Sequence, residues 1–179
     1  EIAVLSNAGA IQERAANDAE GQTLDVQKLL GERLTSERIG PAAAIELHTA
    51  GPDLPLVPGN PEQFARALDH LAGALHLMMD REAGVTAASD YQNGVVSIAI
   101  TAGPVDPKLA ASAIALMHDE EAAGDKVLHA PPAAVALFAA AALFGMQGAE
   151  ILAETTQDGD FERLRLSILC PAQDAQAAA

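Results

Sequence analysis

Tryptophan is absent, cysteine and tyrosine occur once each, and with four phenylalanines the aromatic share of the 179 residues is 3%. A core with so few large rings relies on Ala, Leu, Ile and Val. It packs its helices closely and leaves few platforms for stacking nucleobases. Cationic side chains are also scarce: ten Lys and Arg stand against 25 Asp and Glu, for a net charge of −15. Nucleic-acid binding depends on Lys and Arg neutralising phosphates, so this balance argues against it. Contact with an anionic membrane surface is disfavoured for the same reason. The ordinary role of such an excess of acid is solubility.

The single cysteine, Cys170, excludes an intramolecular disulfide and any multi-cysteine metal site. It stands beside Pro171 at the end of an apolar strand pattern, so a buried thiol is expected. This suits a reducing compartment, and the segment is expected to be cytoplasmic. No basic stretch followed by an apolar block opens the chain, so no signal peptide is read. The longest apolar run, Pro132 to Met146, falls short of the ~20 residues that span a bilayer and is rich in Ala. It reads as a buried helix. The chain opens on Glu1, so a fragment is expected, with any membrane or sensor region upstream. The five histidines show no metal spacing beyond His118 near Glu120 and Glu121, which reads as a wet helix end. No Gly-x-Ser-x-Gly, Cys–His pairing or Lys-bearing phosphate loop occurs, which leaves hydrolase and P-loop readings without support.

Half of the residues are apolar, enough for one domain with a full core. The clearest segment runs from Gly59 to Leu75. Asn60 is an N-cap type, Pro61 suits the first helical position and Gln63 completes a capping-box spacing. Phe64, Leu68, Leu71, Leu75 and Met78 then recur at steps of four and three, which makes one buried face to about Met79. Before it, residues 2 to 20 read as a helix with Val4, Ala8, Ile11 and Ala15 on one stripe. Asp25 caps a short helix bearing Val26, Leu29 and Leu30, and residues 43 to 49 read as a strand.

Downstream, 85 to 91 and 94 to 101 read as strands joined at Asn93-Gly94, a strong hairpin signal. A helix over 107 to 121 follows, then a loose link, the apolar helix over 132 to 145, and strands over 150 to 156 and 161 to 170. Strand pairs interleaved with helices predict an α+β fold, a two-layer sandwich with a mixed sheet and helices on one face. A helical segment precedes it.

This order, and three local motifs, resemble the catalytic ATP-binding (Bergerat-fold) domain of two-component sensor histidine kinases. The first motif is the Gly59–Leu75 helix, in the frame of the family's Asn-Leu-x-x-Asn-Ala box. The second is Val95 to Val105, similar to the strand entering its Asp-x-Gly-x-Gly box. The third is Met146-Gln147-Gly148-Ala149-Glu150-Ile151, similar to its His-Gly-Gly-x-Ile turn, with Leu164 to Pro171 as the closing strand. The resemblance implies three regions: residues 1–22 as the end of a dimerising helical hairpin, 23–171 as the ATPase-like domain, and 172–179 as a tail.

The resemblance also implies which positions would face nucleotide. His70 and Ala74 fall on the two box asparagines, the second of which holds Mg²⁺ in the family. An alanine coordinates nothing, and imidazole is a poor ligand for Mg²⁺, which prefers oxygen. The adenine-binding Asp falls on Thr101 or Ala102, and one glycine of that box survives as Gly103. The family's later Gly-x-Gly falls near Ala134 to Ala136, where a Cβ opposes close approach. The phosphoacceptor His is missing from residues 1–22, and His118-Asp119 is no substitute.

Together these features imply a degenerate histidine kinase-like domain with no catalytic residues, no resident metal and no cofactor. It is expected to act by docking or phosphotransfer with a response regulator or another signalling kinase, and as a homodimer through the N-terminal hairpin. The alternative is an active ATP-dependent kinase with divergent boxes, which would use ATP and Mg²⁺.

Overall fold

A computed structural model describes residues 22–40, 43–49, 54–119 and 125–172. The expected helix over 2–20 and most of the expected tail lie outside these. The elements begin with strand β1 (Thr23–Leu24), helix α1 (Val26–Arg33), helix α2 (Ser36–Ile39), strand β2 (Ala44–Thr49) and strand β3 (Val57–Pro58). Helix α3 (Pro61–Met78) then leads into the hairpin of β4 (Met79–Gln92) and β5 (Val95–Val105). Helices α4 (Pro107–Met117), α5 (Asp125–His129) and α6 (Pro132–Met146) follow, and β6 (Glu150–Asp158) and β7 (Phe161–Pro171) close the fold.

The five-stranded sheet runs in the order β2-β4-β5-β7-β6, with β2 parallel to β4 and every other pair antiparallel. This is the mixed sheet that the alternation predicted. Its inward face presents Val85 and Ala87 from β4, Val96, Ile98, Ile100 and Ala102 from β5, and Leu164, Leu166, Ile168 and Cys170 from β7, all buried. The opposite face carries Thr86, Ala88, Thr101, Arg165 and Glu154, and among the described residues no helix packs on it. The result is a two-layer sandwich. A second, two-stranded sheet pairs β1 with β3. Two-residue strands are too short to leave a periodic trace, which is why the sequence pattern does not reveal them.

Local chemistry explains where the elements begin. The Asn60 side chain accepts from the backbone N–H of Glu62 (2.9 Å) and Gln63 (3.2 Å), and Pro61 occupies the first turn of α3. Asp25 caps α1 through the Lys28 N–H (3.0 Å), and Asp106 caps α4 through Lys108 and Leu109. Each such cap contributes about 1 kcal/mol. Asn93 and Gly94, with φ of 52° and 80°, form the tight turn the Asn-Gly pair predicted. Several bounds differ from expectation: β4 begins at Met79 rather than Val85, and β5 runs on to Val105 rather than Thr101. Helix α4 stops at Met117, with the His118 N–H donating to the Ile114 carbonyl, and the loose link contains the short helix α5.

Helix α3 lies against α6 at the centre of the helical layer, with α1 and α2 flanking α3 and α4 flanking α6. Phe64 and Phe144 meet edge to face with ring centroids 5.1 Å apart, both fully buried. Next to them Gln147 ties the end of α6 to the start of α3: its Oε1 accepts the Asn60 N–H (2.6 Å) and its Nε2 donates to Gln63 Oε1. The two helices are therefore antiparallel. On the other flank Asp69 receives both Arg33 (3.2 Å) and Arg38, and the His76 ring nitrogen Nδ1 bonds the Ile39 carbonyl (2.7 Å).

Truncating one ring of the Phe64–Phe144 pair leaves a cavity that the packed neighbours fill only in part. Phe144→Ala is expected to lose about 3–5 kcal/mol in urea unfolding, and a loss under about 1 kcal/mol would contradict the packing described. Cys170 is fully buried, and burial raises its thiol pKa from 9.0 to about 12. Below pH 9 the thiol is neutral in both the folded and unfolded chain. Above it the unfolded chain releases the proton first, so this contribution to stability falls as pH climbs from 9.0 toward about 12. Denaturant titrations across that window should show a steeper decline for the parent protein than for Cys170→Ala.

Candidate functional site

The five positions that the resemblance singles out lie on α3 and β5, the two elements at the middle of the sandwich. They do not converge on one open site. His70 is exposed on the outer side of α3, whereas Ala74, one turn on, is 0% exposed. Helix α6 closes over that part of α3. Its buried positions Ala133, Ala134, Leu137 and Ala140 are mostly small, which lets the two helix axes approach closely.

The strand positions separate in the same way. Alternation along β5 turns Ala102 inward, where it is 1% exposed, and turns Thr101 to the opposite face, opposite Arg165 and Thr86. Only Ala102 faces the helices. Gly103 is kept for a structural reason: a Cβ there would come within 2.8 Å of Arg163 Cγ and 3.2 Å of Arg163 Cα. Close approach between β5 and β7 accounts for the residue without any ligand. Ala134 is fully buried as well.

At Ala74, Ala102 and Ala134 the chain presents buried methyl groups. The buried side chains of α3 and α6 carry no oxygen or nitrogen, and among the described residues no three His, Cys, Asp or Glu side chains cluster. No described helix is long and apolar enough to cross a membrane.

An open groove lies beside the seam, at His70. It measures about 460 Å³ and is bounded by His70, Val127, Leu128, Val135, Ala136 and Ala139. Its walls are apolar apart from the imidazole. Arg66, one turn before His70 on α3, is exposed and makes no ion pair among the described residues. Leu128 is 78% exposed. Sequence reasoning missed α5 and this groove, because a five-residue helix carries no readable period. It missed the clamp by Gln147 for a different reason, since a hydrogen bond between positions 84 residues apart leaves no local signal. His118 and Asp119 form a helix end, as expected, with Asp119 paired to Lys126 at 3.0 Å.

No known family profile matches the chain, and no curated protein matches it in sequence. Solved structures do. The fold is similar to that of the mycobacterial sensor histidine kinase MprB, with 12% identity and a TM-score of 0.61, over 85% of this chain and 99% of that one. It is similar to the nucleotide-free catalytic domain of histidine kinase ThkA at 13% identity and a TM-score of 0.61, over 84% of this chain and 94% of that one. A histidine kinase from Burkholderia phymatum matches over 97% of this chain and 82% of its own, at 14% identity and a TM-score of 0.58. Such identities speak for fold alone, and the fold is that of the sensor histidine kinase catalytic domain.

Proposed function

We propose that this chain is a two-component signalling module whose kinase fold no longer binds ATP productively and acts by docking to a response regulator or another signalling kinase. The observation that carries the reading is Ala74, an alanine with no exposed surface at the position where the resemblance calls for a magnesium-binding amide. The residues present do not fit Mg-ATP. His70 supplies one exposed nitrogen, Ala102 has no acceptor for an adenine amino group, and the Ala134–Ala136 stretch carries Cβ atoms where bare backbone is needed. Each lost polar or metal contact costs roughly 1–3 kcal/mol, so three together take a micromolar site to millimolar or weaker.

Residues 1–22 contain no His, so a phosphoryl group has no acceptor there. Docking is the form of action proposed for these residues, and phosphotransfer would use an acceptor His upstream of them. The net charge of −15 favours steered encounter with a basic partner surface.

Thermal melting with Mg-ATP tests the proposal. No shift in melting temperature is expected at millimolar nucleotide. A ligand at 100 times its Kd stabilises by about 2.7 kcal/mol, roughly 5–10 °C for a domain of this size, and a shift of that order would identify an active kinase instead. Ala74→Asn provides a second test. An amide at this closed position has no room and no partner, so the variant is expected to melt earlier, by about 1–3 kcal/mol, without gaining nucleotide binding. A gain of Mg-ATP stabilisation in Ala74→Asn would show an open cleft and overturn the reading.

A further inference from the structure

We infer that the cavity between α1 and the β2–β4 edge of the sheet binds a neutral, ring-sized organic molecule carrying one hydroxyl or carbonyl group. The cavity measures about 190 Å³. Its origin lies in the strand sequence. The inward row of β4 reads Val85, Ala87, Ser89, so two short side chains stand next to each other, paired with Ile100 and Ile98 of β5. Helix α1 covers this corner with only eight residues, about 12 Å of length. Its Gly31 presents no side chain to β2, and a Cβ built there would still lie 4.0 Å from Leu47 Cδ1. Leu30, Ala87 and Ser89 are buried and form the floor, while Gln27, Leu47 and His48 are exposed and frame the mouth.

Ser89 is the observation that points to a ligand. It is 4% exposed and is the one buried polar residue among those described. Its hydroxyl makes no hydrogen bond among the described residues, yet the oxygen is not sealed inside the protein, so it opens on the cavity. Buried hydroxyls ordinarily have a partner, and withholding one costs stability. A serine hydroxyl both donates and accepts, so a hydroxyl or carbonyl on the ligand satisfies it.

The rest of the lining sets the remaining chemistry. Leu30, Leu47 and Ala87 suit an apolar body, and water alone would meet the hydroxyl without covering them. No Lys, Arg, Asp or Glu is among the described lining residues, which disfavours a charged ligand. An apolar cavity of about 150 Å³ holds benzene, so this volume fits one ring with a substituent and is too small for a nucleotide. The cavity lies outside the α3–α6 seam, so the inference stands whether or not nucleotide binds.

Titrating the isotope-labelled full chain with phenol, toluene and benzoate, followed by amide NMR, tests the inference. Phenol is expected to shift Gln27, Leu30, Leu47, Ala87 and Ser89 saturably, with a Kd of about 1 mM for so small a ligand. Benzoate is expected to leave these signals in place. Toluene, the same shape without a hydroxyl, is expected to bind about fivefold more weakly, and Ser89→Ala should abolish the difference between the two. Ala87→Leu fills the cavity and is expected to lose phenol binding. Should the leucine disturb folding, Ser89→Ala is the smaller change and decides the question alone. The inference is overturned by the absence of a saturable phenol shift, by shifts gathered elsewhere in the fold, or by benzoate binding as tightly as phenol. Phenol binding retained in a folded Ala87→Leu, or a phenol preference that survives in Ser89→Ala, would overturn it as well.

Discussion

The contact between α3 and α6 is the constraint on which the rest of this structure depends. Phe64 and Phe144 fix the relative position of the two helices at one end, Gln147 clamps that end, and small residues let them close along the rest. Once the helices are this near, the inward residues of β4, β5 and β7 have an apolar lid. The other face of the sheet carries Thr86, Ala88, Thr101, Arg165 and Glu154, exposed or half-buried among the described residues. Ion pairs at Asp69 and the His76 bond to Ile39 then attach α1 and α2 to the outer flank of α3.

The same contact sets the chemistry. In a two-layer sandwich of this kind a ligand cleft requires the central helices to stand apart or to present polar atoms where they meet. Here the buried side chains of α3 and α6 carry no oxygen or nitrogen, so packing them together stabilises the fold. Fold and function are separate questions at this point, because packing of this kind does not depend on the chemistry of any one site. Gly103 illustrates the distinction. Read alone it looks like a remnant of a binding loop, yet the neighbouring strand is sufficient reason for a glycine there.

Much of the fold was legible from the sequence because its signals are local. The Asn60-Pro61 start, the four-and-three spacing from Phe64 to Met78, the Asn93-Gly94 turn and the alternation of Val96, Ile98 and Ile100 each act over a few residues, and each element formed where expected. The candidate site was legible only in part. His70 and Ala74 were named from the helix frame, but nothing along α3 says that one is open and the other closed. Thr101 and Ala102 remained equivalent until strand alternation was anchored to a buried face. The mini-sheet of β1 and β3, the helix α5 and the groove above His70 left no usable period.

The amino-acid sequence by itself determined which residues could not do chemistry: a position without oxygen or nitrogen in its side chain ligates nothing, whatever surrounds it. It also determined the sandwich, since apolar period and turn residues act on neighbours along the chain. Only the tertiary structure decided that the seam over Ala74 is shut, that Ala102 rather than Thr101 faces the helices, and that Gly103 answers to Arg163. Those outcomes depend on distances between residues tens of positions apart. Such distances are set by the volumes of facing side chains and the register of paired strands, and no stretch of sequence read alone contains both partners.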